Sequence, residues 1–353
     1  MSDAVPLTII EKLSKSLSRI LVPTLLVIVS TVVTLVAMEY VTRYFCPAFD
    51  PSGRFALGYN VGILSLGKPG AVERLTKNTG EYDVAIRINK YGLRDDRSIA
   101  DARPDDIVVV GDSFSWGYGV ETSDRFSNRL EPLTGHRVFN LATLKSDFAG
   151  YAALLEYGKS FGAQFGQIVL TVCMENDLRD YSLPDPALDN TNRPQNWIGS
   201  IKLWLLSNSA IYFMATTAIQ EQPWLRDIAT KTGLIVPNAD AEGMLKTIYD
   251  EKIIESSAET LSALAHQYHM LVVLIPSRGL WIPPYNTIED KVHNAFAASL
   301  RTKGVRVLDL RAALEAGGKP LSYHFPYDGH WNASGHALAA SVIANCLKNE
   351  ACH

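Results

Sequence analysis

Ile107-Val108-Val109-Val110-Gly111-Asp112-Ser113-Phe114 sets an uncharged apolar run directly before a small acidic-serine turn. Four consecutive β-branched residues bounded by a glycine read as a fully buried strand, and in an open parallel sheet sites assemble at the carboxyl ends of strands. Two further blocks repeat the arrangement. Asn176-Asp177 follows the apolar run Ile168-Val169-Leu170-Thr171-Val172-Cys173, and Asp328-Gly329-His330-Trp331-Asn332 stands before a helical pattern over Ala333 to Leu347. Serine, asparagine, then Asp/His supply in that order a nucleophile, an oxyanion donor and an oriented base. Strand and helix patterns alternate between these blocks: Val138 to Asn140, then Phe148 to Phe161; Gln167 to Cys173; Ala258 to Tyr268, then Leu271 to Ile275; Glu289 to Leu300, then Val305 to Leu310. That alternation predicts an α/β protein, a flavodoxin-like three-layer α/β/α arrangement around a parallel sheet.

The three blocks resemble the SGNH/GDSL hydrolase superfamily, and the resemblance runs from about Asp83 to the end of the chain. It implies that Ser113 is a nucleophile, Asn176 an oxyanion donor, His330 the general base and Asp328 its orienter, with Asp112 and Asp177 in support and no metal or other cofactor. The pair is Asp-x-His where the family commonly has Asp-x-x-His, which is similar to the polysaccharide O-acetyltransferases of the superfamily. Met174 stands where the family places a glycine. The backbone donor expected after a third strand falls on Ala142 or Lys145, so the implied oxyanion hole is Ser113, Asn176 and Ala142.

Elementary chemistry asks for the same parts. A serine hydroxyl is a poor nucleophile near neutral pH and needs an imidazole within hydrogen-bond reach to take its proton. An aspartate two residues before His330 can reach the other ring nitrogen and fix the tautomer. His336, inside the last helical pattern, is expected to pack rather than react.

From Ile20 to Met38 no residue is charged, long enough for one helix to cross a bilayer core. The run ends Ala37-Met38-Glu39-Tyr40 rather than in a small-x-small cleavage site, which favours an uncleaved signal-anchor. Lys12, Lys15 and Arg19 precede it, placing the N-terminus in the cytoplasm and the large domain outside: a single-pass protein of the cell inner membrane with a periplasmic catalytic domain. The expected organisation is a cytoplasmic amphipathic segment (1–19), a transmembrane helix (20–41), a β-rich linker or subdomain read as a small meander (42–106), and an SGNH-like catalytic domain (107–353) with a cap insertion at about 178–246. Within that insertion Leu203 to Ile219 carries no charge and reads as a cap helix rather than a second span, because Ser207, Asn208 and Ser209 lie inside it.

The chain has 353 residues with a formal net charge of −4, so it can bury a full core and lacks the basic excess that nucleic acid requires. Four cysteines are too few for a disulfide scaffold and match no zinc spacing; Cys346 and Cys352 are the candidates to pair. The function these readings support is a membrane-anchored serine esterase or O-acyltransferase acting on O-acyl esters, with acetyl esters of envelope or exported carbohydrate as the leading substrate. Its partners are then the ester substrate, the bilayer through the N-terminal helix, and other membrane proteins. Two alternatives stand: a non-catalytic accessory subunit of a membrane complex, and a lipase or lysophospholipase. Trp224, Trp281, Tyr285 and Trp331 are candidates to stack on sugar rings, if exposed.

Overall fold

The structure, a computed structural model, describes residues 7–51, 54–55, 57–77, 79–144, 146–183, 197–232 and 249–349. In chain order the elements are α1 (Leu7–Phe45), β1 (Leu57–Val61), β2 (Leu64–Gly67), β3 (Val72–Thr76), β4 (Asp83–Arg87), β5 (Ile107–Gly111), α2 (Ser113–Trp116), α3 (Phe126–Thr134), β6 (Val138–Ala142), α4 (Phe148–Ser160), β7 (Gln167–Cys173), α5 (Trp197–Asn208), α6 (Ala210–Glu221), α7 (Pro223–Lys231), α8 (Glu251–Tyr268), β8 (Leu271–Ile275), α9 (Asn286–Thr302), β9 (Val307–Asp309), α10 (Arg311–Glu315) and α11 (Ala333–Asn349). They form two compact units, Met1–Ser52 with Gln195–Gln220, and Gly53–Pro194 with Glu221–His353.

The larger unit is built on a five-stranded sheet in the order β6-β5-β7-β8-β9, parallel throughout. This is the α/β, flavodoxin-like arrangement read from the alternation of strands and helices. The two-residue period of a strand divides the apolar run between two cores. Ile107 and Val109 face Phe126 and Leu130 of α3 and Ile343 of α11, while Val108 and Val110 face Leu154 of α4, Leu261 of α8 and Phe296 of α9. Burying each such side chain contributes roughly 1.5–3 kcal/mol, and burial on both faces is why the strands read as unbroken apolar runs. The chain leaves β5 toward β6 on one side and returns to β7 on the other, so the carboxyl ends of β5 and β7 flank the switch point where open sheets hold their sites.

The segment before the sheet forms two separate antiparallel hairpins, β1–β2 and β3–β4, in place of a single meander. The second is no loose linker: its Leu75, Tyr82, Val84 and Ile86 close a third core with Trp116, Ala142 and Leu144.

In the smaller unit α1 is one continuous helix, and its stretch Leu21–Phe45 is long and apolar enough to cross a membrane, with its large apolar side chains exposed. The uncharged run from Leu203 is not one helix but two of 12 residues each, α5 and α6, parted at Ser209. Cys46 and Cys173 are free and Cys346 is disulfide-bonded; the expected partner Cys352 lies outside the described residues.

Candidate active site

Gly111 ends β5 where nothing larger fits, since an added Cβ would lie 2.1 Å from Thr171 Oγ1 and 2.6 Å from Ser115 Oγ. Those two hydroxyls are bonded to each other at 2.5 Å beneath the turn. Asp112 caps the short helix α2, its Oδ1 accepting from Phe114 N at 3.0 Å. Burial pushes its carboxyl above the usual carboxylate range despite that bond and the nearby His330. Ser113 is thereby set at the first position of α2, at the carboxyl edge of the sheet.

His330 Nε2 lies 2.8 Å from Ser113 Oγ, and His330 Nδ1 pairs with Asp328 Oδ1. The second carboxylate oxygen of Asp328 accepts from Lys77 Nζ at 3.0 Å and Tyr82 Oη at 2.8 Å. Burial alone would raise the Asp328 carboxyl; the hydrogen bond and charge of His330, then Lys77 and Tyr82, outweigh it and hold the group well below the usual carboxylate range. Tyr82 moves the other way, since burial and the Asp328 charge push its hydroxyl far above the ordinary value and keep it a donor. The Tyr118 ring lies along the His330 ring at 4.6 Å and Phe114 flanks it at 5.1 Å, which leaves the imidazole little freedom to turn.

Asn176 follows β7 and is exposed, with its Nδ2 3.3 Å from Asp112 Oδ2. Met174, in the place of the family glycine, buries its side chain in the core and donates its N–H to Ile275 O at 3.1 Å. Asp177 is wholly buried, its Oδ2 accepting from Tyr151 Oη and Cys173 N, both at 2.8 Å. Ala142 spends its N–H on Asn140 Oδ1 at 3.2 Å, within its own strand. Lys145, the other candidate of that loop, lies outside the described residues.

Four contributors carried no local signal. Lys77 and Tyr82 belong to the β3–β4 hairpin, 251 and 246 positions from Asp328. Glu175 and Arg278 form a two-pronged pair at 3.0 and 2.9 Å with side chains only 5% and 6% exposed, and Arg278 N also donates to Glu175 at 2.7 Å. That fork ties the loop of Asn176 to the turn after β8. Gly329 sits directly on the guanidinium, at φ +89°, with room for no Cβ: one would fall 1.9 Å from Arg278 Nη1. The Asp-x-His turn thus rests on a brace supplied from two distant loops.

His336 is buried on α11, accepts from Phe126 N at 3.3 Å and stacks on the Phe126 ring, as expected of a packing residue. Burial, with Arg125 and Arg94 nearby, pulls it down to about 3, so it stays neutral. Trp331 corrects an expectation. It is 1% exposed, edge-on to Phe114 at 5.1 Å, and cannot stack on a sugar. Trp224 is exposed, and Trp281 is half-buried with Nε1 donating to Glu315 at 2.9 Å.

A parallel α/β sheet with serine, histidine and aspartate gathered at the carboxyl ends of its strands is the arrangement expected of an SGNH/GDSL hydrolase. Residues 251–353, which include Asp328 and His330 but neither Ser113 nor Asn176, match the family described as the SGNH hydrolase-like domain of the acetyltransferase AlgX. By that match the C-terminal part of the chain is SGNH hydrolase-like. No curated protein matches it by sequence. Among solved structures, it is similar to a lipase/acylhydrolase from Enterococcus faecalis (10% identity, TM-score 0.41, 69% of this chain and 96% of that one). It is also similar to a mutant of an acetyl-xylooligosaccharide esterase from Geobacillus (10% identity, TM-score 0.39, 71% and 98%). A third is a lipolytic protein of the G-D-S-L family from Veillonella parvula (10% identity, TM-score 0.39, 69% and 98%).

Proposed function

We propose that Ser113 is the nucleophile of an O-acyl esterase or O-acyltransferase, with His330 as general base and Asp328 as its orienter. The observation that carries this reading is the unbroken chain Ser113 Oγ, His330 Nε2, His330 Nδ1, Asp328 Oδ1. Ser113 Oγ attacks the acyl carbonyl carbon while its proton passes to His330 Nε2. The carbonyl oxygen gains the negative charge and is met by Ser113 N–H and Asn176 Nδ2. Since Ala142 N–H is engaged by Asn140, these two donors carry the oxyanion. Collapse breaks the ester C–O bond, the alcohol leaves with the proton from His330, and an acyl-Ser113 ester remains. Water or an acceptor hydroxyl then gives its proton to His330 and attacks the acyl carbon; the acyl carbon–Oγ bond breaks, and His330 returns the proton to Ser113 Oγ. Hydrolysis and transfer differ only in which nucleophile arrives.

The acyl group is acetyl and its carrier a carbohydrate of the envelope or of an exported chain. What supports this is the Asp328-x-His330 spacing and the match to an acetyltransferase family; Trp331, being buried, adds nothing to it. Leu21–Phe45 serves as the membrane anchor, with Lys12, Lys15 and Arg19 keeping the N-terminus in the cytoplasm and the catalytic domain in the periplasm.

A fluorophosphonate probe applied to membranes carrying the full chain tests the mechanism. Labelling lost in Ser113→Ala and in His330→Ala is the expected result, and Asn176→Ala should lower turnover of aryl acetate by about 100-fold. Equal labelling of the wild type and Ser113→Ala would refute the assignment. A series of aryl esters from acetyl to dodecanoyl then tests the substrate: a specificity constant highest at acetyl is expected, and one that rises with chain length overturns the sugar-acetyl reading in favour of a lipase.

A further inference from the structure

The uncharged run from Leu203 breaks at Ser209 for a reason found 170 residues away. Glu39, near the C-terminal end of α1, accepts from Ala210 N at 2.7 Å, Ile211 N at 3.2 Å and Ser209 Oγ at 2.9 Å. It does for α6 what an N-cap side chain does for its own helix. Arg43, one turn further along α1, pairs with Glu39 at 2.8 Å and donates through Nη2 to Asn208 O at 2.7 Å, a terminal carbonyl of α5. A single ion pair on α1 thus satisfies both helix ends at the break.

The depth of that joint follows from the length of the span. Leu21 to Met38 covers about 27 Å at 1.5 Å per residue, close to the roughly 30 Å of a hydrocarbon core. Glu39 and Arg43 therefore stand at one edge of the core, where a charged pair costs far less than at its centre. Tyr40, Tyr44 and Phe45 are 70%, 81% and 73% exposed at the same level, the place where aromatic side chains concentrate at a bilayer surface. Two helices of 12 residues extend about 18 Å each, too short to cross. On α5, Ile201 and Trp204 share a face three residues apart and are 48% and 62% exposed.

We propose that α5 is an in-plane membrane segment, held at the bilayer surface by the Glu39–Arg43 latch, with Ile201 and Trp204 set into the lipid. The occupant of this exposed face is the interfacial layer of the bilayer that α1 crosses, continuous with the exposed apolar surface of α1 itself. The inference rests on reading Leu21–Phe45 as a membrane span.

The test uses the full chain in phosphatidylcholine vesicles, with and without bromine on the upper part of the acyl chains. Brominated lipid should quench part of the tryptophan fluorescence, and Trp204→Phe should lose that part. A Val29→Trp chain serves as the control, and its added fluorescence should be quenched by lipid brominated deeper in the chain. Quenching from Val29→Trp, with none that depends on Trp204, overturns the proposal and leaves the anchor standing. No quenching in either refutes the anchor itself and the proposal with it. Glu39→Ala should remove the Trp204-dependent quenching while the Val29→Trp signal persists; unchanged quenching would show that Glu39 is not the latch.

Discussion

Lys77 Nζ sits 3.0 Å from Asp328 Oδ2, on the carboxylate oxygen that His330 leaves free. The β3–β4 hairpin thus places a cation on the group that orients the proposed base. The contact is only partly exposed, with side-chain exposures of 17% and 6%, so it is weakly screened. In Lys77→Met the aliphatic stem stays and the charge goes. Asp328 then loses one of the two donors that fix its second oxygen, so kcat for an aryl acetate should fall several-fold with KM little changed. A kcat equal to that of the wild type would show that Lys77 acts on the fold alone.

Gly329 makes a second, sharper prediction. Its φ of +89° disfavours any side chain, and a Cβ would overlap the buried Arg278 guanidinium. Gly329→Ala must shift the turn that carries both Asp328 and His330, and a displacement near 1 Å at the reacting group costs on the order of 100-fold in rate. The loss should fall on kcat, with KM for a small ester little changed, while the far-ultraviolet circular dichroism stays that of the wild type. A kcat within a factor of about two of wild type would mean that the turn tolerates the shift.

The parts of this site that were legible in the chain are those whose meaning is local. Ile107 to Ser113 declares a buried strand and a serine turn because burial on both faces demands an apolar run and the close approach of Thr171 and Ser115 demands Gly111. Asp328 and His330 are likewise near neighbours in the chain. Lys77 was not legible, since a lysine in Lys77-Asn78-Thr79-Gly80 reads as a solvated turn and becomes something else only when the chain folds back from residue 328. The Glu175–Arg278 fork has the same character, spanning 103 positions. Trp331 misled because an aromatic next to a proposed base suggests a stacking surface, whereas packing under α11 and against Phe114 buries it. The break at Ser209 depended on Glu39, and no propensity in residues 203–219 signals a cap supplied from another helix.

His336 predicts how stability responds to acid. In the unfolded chain it titrates near 6.5, whereas in the fold burial pulls it down to about 3. A base whose folded value is depressed contributes stability that is present above its unfolded value and is lost as pH falls from there toward the folded one. Melting temperature should therefore drop between about pH 7 and pH 5, by up to about 1.4 kcal/mol of stability per pH unit from this group. His336→Leu should melt lower near pH 7, since Phe126 N–H loses its acceptor, yet show a flatter slope over that window. An equally steep slope in the variant would assign the acid sensitivity to other groups.

Asp177 gives the opposite sign. Burial, reinforced by the charge of Asp112, raises its carboxyl well above the usual range, against the lowering effect of Tyr151 and the Cys173 N–H. An acid whose folded value is raised contributes stability that is full below its unfolded value near 4 and is lost as pH rises through the folded value. Both donors fall on Oδ2, while Oδ1 is buried without a hydrogen bond among the described residues. A protonated aspartic acid and an asparagine therefore present the same acceptor here, one oxygen accepting twice, beside an uncharged donor group. Asp177→Asn should match the wild type in stability near pH 4 and exceed it near pH 8. Urea unfolding at the two pH values measures the difference directly. A variant less stable than wild type at the higher pH would mean that the carboxylate is ionised in the fold and that its bonds to Tyr151 and Cys173 outweigh the cost of burying its charge.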